Sequence, residues 1–239
     1  MINTLSRIDY LASAGRTPWH RASALSKLIL AAALIALAVF APRLTLLAAV
    51  FVLAGALALS GGMPWRLVLI AAGYPALFSG LFIASAWDGS WQSPARILLR
   101  PLSASLTAVW LVGTTPYPDL FAPLSRVLPR SIGDALFLTY RALFELMSRA
   151  ERLWRSVRLR GGASVSARQR LTLAGEGLGT LVLYGFERGQ RQYATMLLRG
   201  HSGRICGCRH FAEWNRADAL VALALAALVS VALVLWGRA

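Results

Sequence analysis

Two copies of a Leu-Arg-Gly tripeptide carry the clearest binding chemistry in this sequence. They stand at Leu159-Arg160-Gly161 and Leu198-Arg199-Gly200. An arginine guanidinium presents a planar fork of donors that fits a carboxylate, and a glycine lets a partner backbone approach closely. A single copy is also typical of an ordinary helix terminus. Because two copies lie 39 residues apart and each follows a basic segment, we interpret them as a paired docking surface for a two-fold partner.

The second group with binding potential is a cluster of histidine and cysteine that follows the second tripeptide, namely His201, Cys206, Cys208 and His210. Imidazole and thiolate groups bind transition metals, but this spacing is not a standard zinc pattern. Two cysteines separated by one residue are also poor disulfide partners. We therefore interpret the four as incidental surface residues, with a nickel or cobalt site as the weaker alternative.

The sequence offers little that could perform catalysis. It lacks the glycine-rich loop that ends in Gly-Lys-Ser/Thr and cradles phosphate, and its single lysine is Lys27. Gly175, Gly177 and Gly179 follow no strand, so helix packing or a kink explains them better than a nucleotide loop. A serine nucleophile elbow and a His-Glu-x-x-His motif are also missing from the sequence. We predict a protein that is not an enzyme and binds no cofactor itself.

The hydrophobic composition of the chain indicates a membrane protein. The chain has 239 residues, 57% of them hydrophobic, and a mean hydropathy of +0.58, which excludes an ordinary soluble domain. A membrane-crossing helix needs about 20 apolar residues, and continuous apolar runs in lipid form helices because their backbone groups must pair internally. The apolar runs are Leu28 to Ala41, Leu44 to Ser60, Leu67 to Ala86, Ile97 to Thr114 and Ala217 to Trp236.

The first two of these runs are short, and only Pro42-Arg43 separates them. They form either a tight hairpin whose first helix begins near Ala22 or a single broken element. We favour the hairpin, which gives five spans, with four as the alternative. The predicted fold class is all-α: a polytopic helical membrane protein with about five transmembrane helices plus long cytoplasmic coupling helices.

The distribution of positive charge predicts the orientation. Residues 1–27 contain four basic residues and residues 115–216 contain sixteen, while five lie elsewhere. Because basic segments stay in the cytoplasm, we expect the amino terminus inside and the carboxyl terminus outside a bacterial cytoplasmic membrane, without a cleaved signal peptide. The predicted organisation is a cytoplasmic amino-terminal segment at 1–27, a membrane domain of about four spans at 28–114, a cytoplasmic coupling-helix region at 115–216, and a final transmembrane helix and terminus at 217–239.

The basic excess also indicates the kind of partner. The formal net charge is +15, and residues 115–216 alone contribute +9. The net charge of residues 115–216 is larger than is needed to keep this segment on the cytoplasmic side of the membrane. The excess fits binding to an acidic protein partner or to the anionic lipid surface. We do not expect nucleic-acid binding, because basic loops of a membrane protein produce the same total charge.

Prolines and glycines indicate where helices begin and end in the basic region, residues 115–216. Thr114 to Leu120 contains two prolines, which predict a sharp bend where a span ends. Charged residues three or four apart from Ser131 to Arg158 indicate an amphipathic helix that ends at Gly161-Gly162. A second helix is expected over Ala167 to Leu198, ending at Gly200. The small-residue pair Gly185 and Gly189 on this helix predicts close packing against another helix.

These features together resemble a known family: the transmembrane T component of energy-coupling factor transporters, in its cobalt and nickel branch of CbiQ-like proteins. The resemblance covers nearly the whole chain. Its motifs are Ile8-Asp9 with Ser26-Lys27-Leu28, Thr114 to Leu120, Leu138-Thr139-Tyr140-Arg141, Arg152 through Gly161, and Phe186-Glu187-Arg188 leading to Tyr193, Met196, Arg199 and Gly200.

The resemblance implies a subunit that couples two cytoplasmic ATPases, identical or different, to a separate substrate-binding membrane S component. Arg160 and Arg199 would each sit in a groove of one ATPase, and these partners would bind ATP and magnesium. It also assigns a supporting role in the coupling helices to Arg141, Arg152, Glu187 and Arg188. The family usually has alanine before each Arg-Gly, whereas this chain has Leu159 and Leu198, so the packing in the groove should differ.

The expected function is therefore coupling in an importer of cobalt or nickel ions. A T component for a vitamin importer is the alternative within the same class. A non-transport membrane scaffold that recruits acidic partners is the alternative from another class.

Overall fold

The computed structural model describes residues 2–85, 89–159, 166–201 and 215–236. The regular secondary structure of these residues is helical, which confirms the predicted all-α fold class. The helices in chain order are α1 (Ile2–Ala14), α2 (Pro18–Arg21), α3 (Ala24–Phe40), α4 (Leu44–Ser60), α5 (Trp65–Ser85), α6 (Gln92–Thr114), α7 (Tyr117–Val127), α8 (Arg130–Val157), α9 (Ala167–Leu198) and α10 (Asp218–Trp236).

The helices fall into two compact units, which we describe separately. One consists of Asn3–Pro123 and Cys208–Ala239, and we call it the membrane unit. The other consists of Met1–Ile2 and Leu124–Gly207, and we call it the hairpin unit because α8 and α9 form its body.

Each predicted apolar run forms a helix. With 21 and 23 residues, α5 and α6 are long and apolar enough to cross a membrane, while α3 and α4 are shorter apolar helices of 17 residues. The final apolar run forms α10, which has 19 residues. Ala41 to Arg43 separate α3 from α4, so the first two runs are two helices, as the hairpin interpretation requires.

The centre of the membrane unit is α6, which packs against α3, α4 and α5, while α10 packs against α3 and α4. Trp110 of α6 has no exposed surface and meets the ring of Trp19 edge-on, with 5.6 Å between centroids. The core around it consists mainly of leucine, valine and alanine side chains, among them Leu30, Leu34, Leu46, Leu47 and Val50. Burial of this apolar surface joins α3, α4 and α5 to α6, and α10 to α3 and α4.

A proline in α5 is compensated by its neighbour α6. Pro75 has no N–H, so the carbonyl of Ala71 loses its helical donor one turn earlier. The hydroxyl of Ser105 on α6 donates to that carbonyl oxygen at 2.8 Å. This satisfies a backbone group that lipid could not, and it ties the two helices together.

The other side of α5 exposes large apolar side chains, including Leu69, Ile70, Tyr74, Phe78 and Phe82. An exposed apolar surface of this extent is typical of a helix that faces lipid or a protein partner.

The predicted bend after α6 is present. Helix α6 ends at Thr114, Thr115 has an extended backbone with φ −133° and ψ 120°, and α7 begins at Tyr117. Asp119 lies in the first turn of α7, where a carboxylate is favoured by the helix dipole.

Both long helices of the hairpin unit follow the sequence pattern. The amphipathic helix predicted over Ser131 to Arg158 is observed at α8, and the second predicted helix coincides with α9. Ser166 caps the start of α9 in a capping box with Gln169, in which each side chain satisfies the other residue's backbone N–H.

Candidate functional site

A cluster of polar side chains joins the two helices of the hairpin unit. The carboxylate of Glu145 on α8 accepts a hydrogen bond from the Tyr184 hydroxyl at 2.9 Å. Its two oxygens also lie 3.1 Å and 3.2 Å from Nε of Arg188 on α9. The Arg149 guanidinium lies over the Tyr184 ring, 4.8 Å from the ring centroid. Because both helices contribute to this cluster, it fixes their rotation relative to each other.

Small residues set the register of the same contact. A Cβ built on Gly185 would lie 3.6 Å from the Leu146 side chain, and one on Gly177 would lie 3.3 Å from that of Leu153. The residue later in α8, Leu153, faces the residue earlier in α9, Gly177, so the two helices are antiparallel. The prediction of close packing is supported at Gly185 but not at Gly189, where an added Cβ would meet no atom of the described chain within 4 Å.

The residues with a predicted supporting role differ in what they contact. Arg188 makes the ion pair between the helices described above, whereas Glu187 pairs with Arg191 within α9 at 2.8 Å. Arg141 and Arg152 have exposed side chains on α8. The bracing that the structure shows therefore depends on Arg188 and on Glu145, and no sequence pattern had indicated a bracing role for Glu145.

The second Leu-Arg-Gly tripeptide forms a well-defined helix end. The N–H of His201 donates to the Met196 carbonyl and that of Gly200 to the Leu197 carbonyl, both at 3.0 Å. Gly200 has φ +74°, a conformation that favours glycine. This is a Schellman cap, so the predicted termination of α9 at Gly200 is confirmed. Leu198, the last residue of α9, is 88% exposed, and Arg199 is the C-cap residue. The cap therefore holds the apolar side chain of Leu198 and the Arg199 residue at a fixed helix end.

Of the first tripeptide, the structure describes only Leu159. Helix α8 ends at Val157, a wider turn follows over Arg158 and Leu159, and Leu159 is 82% exposed. Arg160, Gly161 and the predicted terminus at Gly161-Gly162 lie outside the described residues. Both tripeptides nevertheless begin with a leucine that is nearly fully exposed, at the end of one long helix each.

Glycine at position 200 is required for this geometry, and Gly200→Ala tests it. We expect the last turn of α9 to be destabilised by about 1 kcal/mol, because an L side chain is strained in the left-handed region. Faster amide hydrogen exchange over residues 193–201 would show this. Gly189→Ala is the matched control, since alanine at an open mid-helix position should stabilise α9 by about 0.5–1 kcal/mol. Equal exchange in the two variants would contradict the cap.

The contact between α8 and α9 should depend on Glu145. Glu145→Ala removes the acceptor of both Tyr184 and Arg188, and we expect it to loosen the hairpin by about 1–2 kcal/mol. Hydrogen exchange should accelerate around Tyr184 on α9. Glu151→Ala is the control because Glu151 pairs with Arg155 at 3.6 Å within α8 only. Similar exchange on α9 in both variants would show that Glu145 does not brace the hairpin.

The structure places only part of the candidate metal cluster. His201 follows the cap of α9, while Cys206, Cys208 and His210 lie outside the described residues. Within the described ranges, no group of three or more potential metal ligands comes together. The interpretation of the four as incidental surface residues stays a prediction.

The membrane unit contains a buried polar network that the sequence analysis did not predict. Lys27 is 1% exposed, and its Nζ donates to the carbonyl oxygen of Thr114 at 2.9 Å. Thr114 is the last residue of α6, where backbone carbonyls lack helical donors and a positive charge is favoured. The only lysine of the chain thus ties the start of α3 to the end of α6.

Asp218, at the first position of α10, has no exposed surface. Its carboxylate accepts hydrogen bonds from the backbone N–H of Ser23 at 2.8 Å, the hydroxyl of Ser26 at 2.6 Å and the backbone N–H of Asn215 at 2.8 Å. The carboxylate therefore lies between the amino-terminal ends of α3 and α10, where both helix dipoles favour a negative charge. A carboxylate at the start of an otherwise apolar run is the sequence signal that could have identified it.

Burial shifts the pKa of two titratable groups close to this network towards their uncharged forms. Burial lowers the pKa of His20, and the positive charge of Lys27 lowers it further. Nδ1 of His20 lies 2.6 Å from Oγ1 of Thr17. Burial also raises the pKa of Tyr117, with an additional contribution from the negative charge of Asp9. The hydrogen bonds of Lys27 and Asp218 hold the ends of α3, α6 and α10 together.

The architecture by itself defines a class of protein. Apolar helices packed around α6, together with a basic helical hairpin braced by polar contacts, make this a polytopic helical membrane protein. The profile of the family described as "CbiQ: Cobalt transport protein" matches residues 15–207. The chain therefore belongs to the CbiQ family, which is a family of transport components rather than of enzymes.

A curated relative agrees with this assignment. The "Cobalt transport protein CbiQ" of Salmonella typhimurium (strain LT2) is 31% identical over 91 residues. The matched region is 36% of this chain and spans 40% of the Salmonella protein.

Proposed function

We propose that this protein is the transmembrane coupling subunit of an energy-coupling factor importer for cobalt or nickel ions. It would transmit the conformational change of ATPase partners to a substrate-binding membrane subunit. The observation that carries the proposal is the end of α9, where a rigid cap holds exposed Leu198 and Arg199 on a hairpin braced through Glu145. Membership in the CbiQ family supports cobalt or nickel over a vitamin.

The hairpin has the properties that coupling requires. With 28 and 32 residues, α8 and α9 are about 42 Å and 48 Å long at 1.5 Å per residue. The Glu145 cluster and the glycine contacts keep them from sliding past each other. A displacement imposed at the capped end of α9 would therefore move the whole helix rather than deform it locally.

The chemistry of the tripeptides indicates the partners. Two ATP-binding subunits, identical or different, would each offer an acidic groove to Arg160 or Arg199 and an apolar site to the adjacent leucine. Those subunits would hold ATP and magnesium and perform the hydrolysis. The S component would be of the metal-binding type, and the exposed apolar side chains of α5 offer a membrane surface to it or to lipid.

The proposed location is the bacterial cytoplasmic membrane, in a multi-pass arrangement. The sixteen basic residues between positions 115 and 216 support a cytoplasmic position for the hairpin unit, and the amino terminus would lie on the same side.

Reconstitution into proteoliposomes with the ATPase and S partners tests this function. We expect cobalt or nickel uptake that requires ATP, and no uptake when this subunit is omitted, although the ATPases alone still hydrolyse ATP. Uptake of a vitamin but of neither metal would select the vitamin importer. Metal uptake at the same rate without this subunit would contradict a coupling role and leave the scaffold alternative.

A further inference from the structure

Exposed apolar side chains form a stripe along each helix of the hairpin unit. On α8 the stripe consists of Ile132, Leu143 and Trp154, whose regular spacing corresponds to about three helical turns. On α9 the members follow one another after one or two turns, which also keeps them on one side of the helix. They are Leu171, Leu178, Val182, Phe186, Tyr193 and Leu197, and each of them is more than half exposed.

The two stripes lie on the same face of the hairpin. Leu153 of α8 and Gly177 of α9 face each other in the contact between the helices. In both helices an exposed apolar residue comes one position later, at Trp154 and at Leu178. One position is a rotation of about 100°, and an equal step along two antiparallel helices turns to the same side of the pair. The stripes therefore form one surface, which we call the apolar face of the hairpin.

The opposite face of the hairpin is charged. Arg152 precedes Leu153 and Glu176 precedes Gly177, so by the same rotation both exposed side chains lie on the other side of the contact. Arg141 is exposed on that side of α8 as well. The hairpin is therefore amphipathic as a whole, and a contiguous exposed apolar face of this size marks an interaction surface.

The chemistry of the apolar face fits a lipid surface. It contains Trp154 and Tyr193, the two aromatic residue types that are enriched where protein meets lipid headgroups. Arg158 lies one turn after Trp154, is exposed, and forms no ion pair within the described ranges. Glu151, one turn before Trp154, is paired with Arg155 at 3.6 Å. The positive charge of Arg158 is thus left for an anionic group, while its stem can lie along the apolar surface.

We propose that the apolar face of the hairpin lies on the anionic lipid surface of the membrane. Its apolar side chains would enter the boundary between headgroups and acyl chains, as those of interfacial amphipathic helices do. The net charge of +9 on residues 115–216 would add attraction to anionic headgroups. This inference does not rest on the proposed coupling role, because it concerns the protein alone with lipid.

Fluorescence quenching of the full-length protein in nanodiscs tests the proposal. The protein carries Cys206→Ser and Cys208→Ser, and a bimane label is attached at Val182→Cys on the apolar face or at Glu176→Cys on the charged face, which is the matched control. The nanodiscs contain phosphatidylglycerol and phosphatidylcholine, with or without brominated acyl chains. We expect brominated lipid to remove most of the fluorescence at position 182 and little of that at 176. Iodide in the buffer should quench mainly the label at 176.

The contribution of charge is tested by Arg158→Gln in the same assay. The ratio of docked to undocked hairpin should fall about fivefold, from about 1 kcal/mol for one arginine near an anionic surface, and Arg158→Lys should restore it. Arg152→Gln removes an arginine of the charged face and should leave the ratio nearly unchanged.

Two results would overturn the proposal. One is equal quenching of positions 182 and 176 by brominated lipid. The other is exclusion of iodide from position 182 without quenching by brominated lipid, which would show that a second copy or another protein covers the face. An equal effect of Arg158→Gln and Arg152→Gln would refute the role of Arg158.

Discussion

If the proposed coupling role holds, replacing the arginines of both tripeptides, Arg160→Glu and Arg199→Glu, is expected to abolish assembly with the ATPases and with it transport, while the protein stays in the membrane. A cation seated in an acidic groove would become a repelled and desolvated anion. At about 3–5 kcal/mol for each broken buried pair, a single substitution should weaken ATPase binding by at least about 100-fold. Co-purification of the ATPases and metal uptake by membrane vesicles measure the two effects.

The control for this experiment makes the same change of net charge at two positions that have no proposed role. Arg168→Glu with Arg216→Glu reverses two exposed arginines that belong neither to the tripeptides nor to the brace between α8 and α9. Assembly should be nearly unchanged in this variant, because exposed charges are screened. Normal co-purification of the Arg160→Glu, Arg199→Glu protein would refute the docking role. An equal loss in the control would show that net charge, not the tripeptides, drives assembly.

The largest expected effect on stability comes from Asp218→Ala. The substitution leaves the N–H groups of Ser23 and Asn215 without their carboxylate acceptor and leaves the Ser26 hydroxyl only the carbonyl oxygen of Ser23. It also removes a negative charge near buried Lys27. We expect a loss of about 3 kcal/mol, since unsatisfied buried donors and an uncompensated charge are both costly. For a chain of this size the midpoint of thermal unfolding should fall by roughly 10 °C.

Thermal unfolding in mild detergent, followed by tryptophan fluorescence, measures this change. Trp19 and Trp110 pack against each other, and the Trp110 carbonyl accepts a hydrogen bond from Thr114 at one end of the network, so their fluorescence contributes to the signal. Ser230→Ala on the same helix is the control, because the Ser230 hydroxyl is exposed and contacts only its own helix through Ala227. A decrease of less than about 2 °C in Asp218→Ala would show that the carboxylate does not hold α3 and α10 together.

Local sequence patterns predicted those elements whose determinants lie close together in the chain. Charges three or four residues apart located the start of α8 to within one residue, and a glycine after an amphipathic run located the end of α9. Continuous apolar runs located α3, α4, α5, α6 and α10 of the membrane unit. In each case the information lies within one or two helical turns, where periodicity and capping act.

The polar contacts between helices could not be predicted in the same way. Asp218 binds Ser23 across 195 positions of sequence, and Lys27 binds the carbonyl of Thr114 across 87. Glu145 finds its partners on α9 39 and 43 positions away. No spacing rule links such residues, because the fold alone brings them together. For the same reason the small-residue pattern indicated packing at both Gly185 and Gly189, whereas the register of the hairpin places only Gly185 against α8.

The most direct test of the coupling account is affinity purification of the tagged protein from its native membrane, followed by mass spectrometry of the proteins that stay bound in mild detergent. The account predicts ATP-binding subunits together with a small membrane protein that carries an amino-terminal metal-binding segment. A vitamin-binding membrane protein in its place would select the vitamin importer. Recovery of the protein without any ATPase would contradict the coupling role.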